Sequence, residues 1–108
     1  MDFDMAQKIY RQIETTKLVQ LKEDLIRLAV RYARVRTDWL LADTEKRREM
    51  DKHRTSTHEA LIDTCNILSR NMAKEGEDVS WKASLGDDRK GVGDFACYLH
   101  CILGLLAR

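Results

Sequence analysis

Two cysteines and a histidine near the C-terminus come closest to a metal site. Cys97, His100 and Cys101 are spaced i, i+3 and i+4, so their side chains fall within an arc of about 100° on one helix face. Cys65 or His58 from another helix would complete the four ligands that zinc prefers. However, cysteine is often buried as a small hydrophobic group, and the CxxC pair common in zinc sites is missing. We therefore predict three reduced, buried, metal-free cysteines and no cofactor.

A basic run in the middle of the chain could contact the phosphates of a nucleic acid. Its members are Lys46, Arg47, Arg48, Lys52 and Arg54. Glu49 and Asp51 interrupt the run, and the net charge of the whole chain is only +1. The spacing of Arg47 to Asp51 and of Glu49 to Lys52 predicts a solvated helical segment with ion pairs. A nucleic-acid-associated accessory protein is therefore the alternative function, and we expect no specific nucleic-acid binding at physiological salt.

A glycine-containing segment resembles part of a phosphate-binding loop. Gly86–Gly91 matches the first six positions of a P-loop, but Val92 and Gly93 replace the required Lys-Ser/Thr pair, and no strand precedes the segment. The P-loop interpretation is therefore excluded. Arg89 and Lys90 keep a weaker hypothesis open, in which they hold an anion at the start of the last helix.

The remaining polar residues give no catalytic signature. Glu59 and Asp63 share one helix face, but no inward-facing carboxylate pair on the preceding helix complements them, as a di-metal bundle requires. No serine or cysteine has a base at an interpretable position. The sequence therefore favours a non-enzymatic protein, and a Cys/His metal sensor or enzyme is the least favoured class.

The elements that carry these residues are predicted to be helices throughout. The chain has 108 residues, contains no proline, and has its first glycine at Gly76, so the first 75 residues lack both strong helix breakers. No segment alternates apolar and polar residues as a strand does. We predict one all-α domain over residues 1–108, a four-helix bundle-like fold. Its size and helix count are similar to those of bacteriocin immunity proteins, which implies the same kind of architecture.

Four helices follow from the spacing of apolar residues. The first is predicted over Asp2–Ile13 and ends at Thr15 and Thr16, which are poor helix formers. The second is long and has a heptad seam. The seam residues are Leu18, Leu21, Leu25, Leu28, Tyr32, Val35, Trp39 and Ala42.

The later helices have weaker boundaries. Ser56 followed by Glu59 is typical of a capping box and predicts the start of the third helix, which ends at Gly76. A polar loop over Glu77–Lys90, with Trp81 as its apolar anchor, leads to a fourth helix that begins near Asp88 or Asp94. This last helix is apolar nearly all round, which predicts a central position in the bundle.

The second helix also predicts self-association. Written as one helix over Lys17–Asp51, it is roughly 50 Å long, whereas a domain of this size is about 35 Å across. The overhanging end carries an apolar patch that a second copy would cover. The predicted interface residues are Val35, Trp39, Leu40 and Ala42. The competing interpretation is a break at Thr37-Asp38 or Asp43-Thr44, which lets the monomer cover its own seam.

The location of the protein is predicted from what its segments lack. The most apolar stretch, Phe95–Ala107, is shorter than the ~20 residues that span a bilayer, and the acidic N-terminus does not resemble a signal peptide. With three cysteines at no disulfide-like spacing, the cytoplasm is the expected compartment and a membrane is not an expected partner. The leading functional hypothesis is a non-enzymatic interaction or regulatory module that forms a homodimer.

Overall fold

The computed structural model describes residues 3–77, 79 and 89–106, which form α-helices and no strand. The helices are α1 (Phe3–Glu14), α2 (Val19–Leu41), α3 (Thr44–Lys74) and α4 (Arg89–Leu106). The predicted all-α, four-helix fold is therefore confirmed. Within these ranges no helix is both long and apolar enough to cross a membrane. The predicted anchor Trp81 lies outside the described residues.

Helix α1 packs on the bundle through one narrow apolar face. Ala6, Ile9 and Ile13 are spaced i, i+3 and i+7 and are buried, while the residues between them face outward. Tyr10 contacts Tyr98 of α4 edge to face, with ring centroids 6.4 Å apart. The helix ends at Glu14, so the predicted joint at Thr15 and Thr16 is confirmed.

Helices α2 and α3 form an antiparallel hairpin, because their contacts run in opposite order along the chain. The Tyr32 ring meets the ring of His58 at 5.4 Å, and Thr16, just before α2, meets Glu77, just after α3. The helices bury facing rows of side chains that exclude water from the core. These rows contain Leu25, Ala29 and Tyr32 on α2, and Leu61, Cys65 and Leu68 on α3.

The break between α2 and α3 corrects the predicted helix over Lys17–Asp51. Ala42 and Asp43 have extended backbones, with ψ angles of 156° and 174°, and Asp43 accepts a 2.8 Å hydrogen bond from the Lys46 amide. This carboxylate satisfies a free amide at the helix start, so it stabilises the new helix without any glycine or proline. The alternative break at Asp43-Thr44 is therefore the one observed, and the longest helix is α3.

The predicted start of the third helix at Ser56 is also wrong. Ser56 lies exposed inside the 31-residue helix α3, a full three turns after its first residue. The pattern Ser-x-x-Glu marks a helix start only where the preceding backbone leaves the helix. Here the preceding residues from Thr44 onward are already helical.

Helix α4 contacts each of the other three helices, in agreement with its predicted central position. It begins at Arg89, close to the Asp88 alternative and well before Asp94. Val92, Phe95, Ala96 and Leu99 are buried. His100 is exposed, so the helix is less uniformly buried than its composition predicts.

A carboxylate fastens the end of the hairpin to the joint between α1 and α2. Glu77 accepts hydrogen bonds from the Thr16 hydroxyl at 2.7 Å and from the Lys17 amide at 2.9 Å. The Thr16 bond, with a smaller contribution from Lys17, lowers the pKa of Glu77 below its ordinary value, against an opposing effect of burial. The ionised form is therefore favoured in the folded protein.

This lowered pKa predicts a pH-dependent contribution of Glu77 to stability. Because the folded state favours the ionised carboxylate, the stabilisation is present above the unfolded pKa of about 4.3 and is lost as the pH falls through the folded pKa. Urea unfolding at pH 7 and at pH 3 should therefore show wild type more stable than Glu77→Gln at pH 7, with the difference shrinking at pH 3. A difference that stays constant with pH would contradict this role.

Candidate interaction site at the α2–α3 turn

The end of the α2–α3 hairpin has no core of its own. From Arg36 through Ser56, a stretch that the structure describes completely, no residue is buried, whereas the flanking Val35 and Thr57 are. We call residues 36–56 the hairpin tip. With little apolar burial, its local stability depends on the polar contacts that hold the two helices together.

Trp39 is the centre of these contacts. The guanidinium carbon of Arg54 lies 3.8 Å from the Trp39 ring centroid, and that of Arg47 lies 4.5 Å away. Both arginines come from α3, so two cation–π contacts join the helices where a core would otherwise be needed. Each contact of this kind contributes about 0.5–2 kcal/mol, depending on its exposure.

The turn itself is closed at both helix ends. Arg47 donates hydrogen bonds from Nε to the Trp39 carbonyl at 2.9 Å and from Nη2 to the Leu40 carbonyl at 2.8 Å. These carbonyls lie in the last turn of α2, where the helix ends before it can supply their usual amide partners four residues on. Asp43 performs the opposite task for the amides at the start of α3. The two residues therefore act as a polar latch, Asp43 and Arg47, that fixes the turn.

Two leucines next to this latch are exposed. Leu40 has 54% of its side chain exposed and Leu41 has 82%. Of the four predicted interface residues, only Leu40 is exposed, since Trp39 and Ala42 are half-buried and Val35 is buried. The sequence prediction missed Leu41 because this residue lies off the heptad seam.

Charged side chains of both signs surround the leucines. Lys46 pairs with Glu49 at 3.7 Å, and Arg54 pairs with Asp51 at 3.4 Å. Arg47 binds backbone carbonyls, a partner that the predicted pairing with Asp51 did not include. Three of the five members of the basic run therefore already hold partners in the folded chain, which leaves fewer cations for phosphates.

The four metal candidates differ widely in exposure. Cys65 is buried, which raises the pKa of its thiol to about 12, while Cys97 is half-buried and Cys101 and His100 are exposed. The prediction that all three cysteines are buried is thus wrong for Cys101. Among the described residues, no three His, Cys, Asp or Glu side chains come together as metal ligands would.

The half-buried Cys97 belongs to a polar contact between α2 and α4. Arg36 donates from Nη1 to Asp94 at 3.2 Å and to the Cys97 sulfur at 3.7 Å. Gly93 makes room for this guanidinium, since a Cβ atom there would lie 2.8 Å from Nη1. The pairing explains why a glycine is accepted inside α4, where it costs about 1 kcal/mol relative to alanine.

The predicted anion site is only partly visible. Arg89 and Lys90 occupy the first turn of α4, as the hypothesis requires. Their side chains and the preceding segment Gly86–Asp88 lie outside the described residues. The anion hypothesis therefore stays a prediction.

Comparison with protein-family models, with curated proteins and with solved structures gives no match to this chain. Its function must therefore be argued from the geometry of its own surface.

Proposed function

We propose that this protein is a non-enzymatic interaction module that self-associates through the hairpin tip. The observation that carries the proposal is the pair of exposed leucines, Leu40 and Leu41, beside the turn. Isolated surface leucines are ordinary, but neighbouring ones leave a continuous apolar area in water. Covering such an area is favourable by about 25 cal/mol per Å².

The charges of the tip favour a second copy of the chain as the partner. The basic residues are Arg36, Lys46, Arg47, Arg48, Lys52 and Arg54, and the acidic residues are Asp38, Asp43, Glu45, Glu49 and Asp51. A two-fold pair brings a surface against itself, so a patch of one sign would repel its copy. This nearly balanced patch does not, and the same balance makes it a poor match for a polyanion.

Light scattering at micromolar concentration tests the proposal. We expect a mass of about twice the 12.6 kDa of one chain. Leu41→Lys places a charge in the contact and should raise the dissociation constant at least about tenfold, shifting the mass toward the monomer. The matched control is Val19→Lys, because Val19 is also exposed, at 52%, but lies at the opposite end of α2.

Two results would contradict the proposal. A wild-type mass near that of one chain across the micromolar range would exclude self-association at these concentrations. Equal weakening by Leu41→Lys and Val19→Lys would show that the contact does not lie at the hairpin tip.

A further inference from the structure

We propose that two chains associate by exchanging helices. The turn at Ala42 and Asp43 opens, α2 and α3 join into one continuous helix, and α3 of each chain packs against α2 of the other. This inference rests on the proposed self-association and names its mechanism. The joined helix over residues 19–74 would be roughly 84 Å long at 1.5 Å per residue.

The backbone of the turn allows this opening. Ala42 and Asp43 have φ angles of −83° and −74°, which already suit a helix, so mainly their ψ angles must change. No glycine or proline lies within residues 40–47, and the segment is rich in residues with good helix propensity. Opening also frees no backbone carbonyl, because Trp39 and Leu40 would accept from the amides of residues 43 and 44 instead of from Arg47.

The spacing of the buried residues fits a joined helix. Leu25 and Leu61 are 36 residues apart, and the same separation relates Ala29 to Cys65 and Tyr32 to Leu68. At 3.6 residues per turn this is about ten whole turns. The core-facing rows of α2 and α3 would therefore lie on one side of the joined helix. A second, antiparallel joined helix can cover both rows along their whole length.

The register of the hairpin predicts what meets at the centre of such a pair. Tyr32 lies opposite His58 in the hairpin. Keeping that register between two chains brings Leu40 opposite Met50 of the second copy and Asp43 opposite Arg47 of the second copy. All four positions continue the buried rows at helical spacing. The exchange therefore covers the exposed Leu40 with an apolar residue and converts the latch into ion pairs between chains.

The exchange re-forms between the chains the packing that it opens within them. The Trp39 cation–π contacts, the Tyr32 ring contact and the buried rows are all available from the second copy in the same geometry. Only the hydrogen bonds that close the turn have no equivalent in the exchanged pair, and no residue of the turn is buried. Short connections between packed helices are a known route to exchanged dimers.

Thr44→Pro separates the exchanged dimer from a dimer of closed hairpins. Thr44 is the first residue of α3, where proline is favoured, and the extended Asp43 before it has the backbone that precedes proline. In the joined helix, the same proline would clash with the carbonyl of residue 40 and remove a hydrogen bond. We expect Thr44→Pro to weaken the dimer by about a hundredfold or more, while the control Thr44→Ala leaves it intact.

Each outcome of this comparison has a distinct meaning. Dimer lost in Thr44→Pro but kept in Thr44→Ala, with helical circular dichroism retained in both, supports exchange. A dimer that survives Thr44→Pro overturns exchange and leaves the proposed self-association standing. A monomeric wild type overturns both proposals.

A distance measurement tests the same inference without a turn variant. Labels at the exposed Val19 and Arg70 of one chain lie on neighbouring helices in a closed hairpin, within about 10–20 Å. In the joined helix they are 51 residues apart, or roughly 77 Å. Labelled chains, with Cys97 and Cys101 replaced by serine, are diluted into excess unlabelled protein so that each dimer carries one label pair. A long distance in the dimer supports exchange, and a short one overturns it.

Discussion

Replacing Leu61 with alanine is expected to lower the free energy of unfolding by about 2–5 kcal/mol. Leu61 is fully buried at the middle of α3, in the row that faces α2. Alanine removes the apolar side chain and leaves a cavity that packed helices close only in part. The measurement is urea unfolding followed by circular dichroism, with the protein concentration held fixed because association also contributes to stability.

Ile67→Ala is the matched control for this prediction. Ile67 lies on the same helix, carries an aliphatic side chain of the same volume, and has 40% of it exposed. Its truncation should therefore cost clearly less than that of Leu61, about 1 kcal/mol or below. Equal losses at the two positions would show that the face of α3 assigned to the core is wrong.

The helical architecture could be predicted because many weak signals agree. An absence of proline and a late first glycine leave the backbone free to form helices, and the apolar spacing then selects the faces that pack. The joint after α1 was predictable for a related reason, since Thr15 and Thr16 both disfavour a helix. These signals depend on residue types near one another in the sequence, which a sequence displays directly.

The turn between α2 and α3 was harder to predict because its cause is distributed. Asp43 alone is an ordinary polar residue in a helical pattern, and its capping bond forms only once the chain has turned. The opposite end of α2 is satisfied by Arg47, which folds back on Trp39 and Leu40 after the turn. Such long side-chain contacts are part of the tertiary structure, and the seam periodicity does not contain them.

The same limit applies to the candidate site. The sequence identified the right end of α2, but it assigned Val35 to an interface when α2 buries it in the monomer. The seam pattern also passes over Leu41, because whether an off-seam leucine is covered depends on which helices reach it. The hairpin tip extends beyond any core, and no local pattern reports that distance.

Gly93→Leu is expected to lower the free energy of unfolding by about 2–4 kcal/mol. Gly93 is buried in α4, and a Cβ atom there would approach the Arg36 guanidinium to 2.8–3.0 Å. A leucine must therefore displace the guanidinium from Asp94, with which it forms a 3.2 Å ion pair, and must also fit its own volume into packed space. The gain in helix propensity over glycine offsets only about 1 kcal/mol of this loss.

A double-mutant cycle with Arg36→Ala identifies the cause of that loss. If Gly93 accommodates the guanidinium, removing the guanidinium vacates the space that leucine needs, and Gly93→Leu should then cost less by about 1–3 kcal/mol. Arg36→Ala alone should also destabilise the protein, since it leaves Asp94 without its arginine. The same cost of Gly93→Leu in both backgrounds would mean that the backbone of α2 or α4, and not Arg36, requires glycine at this position.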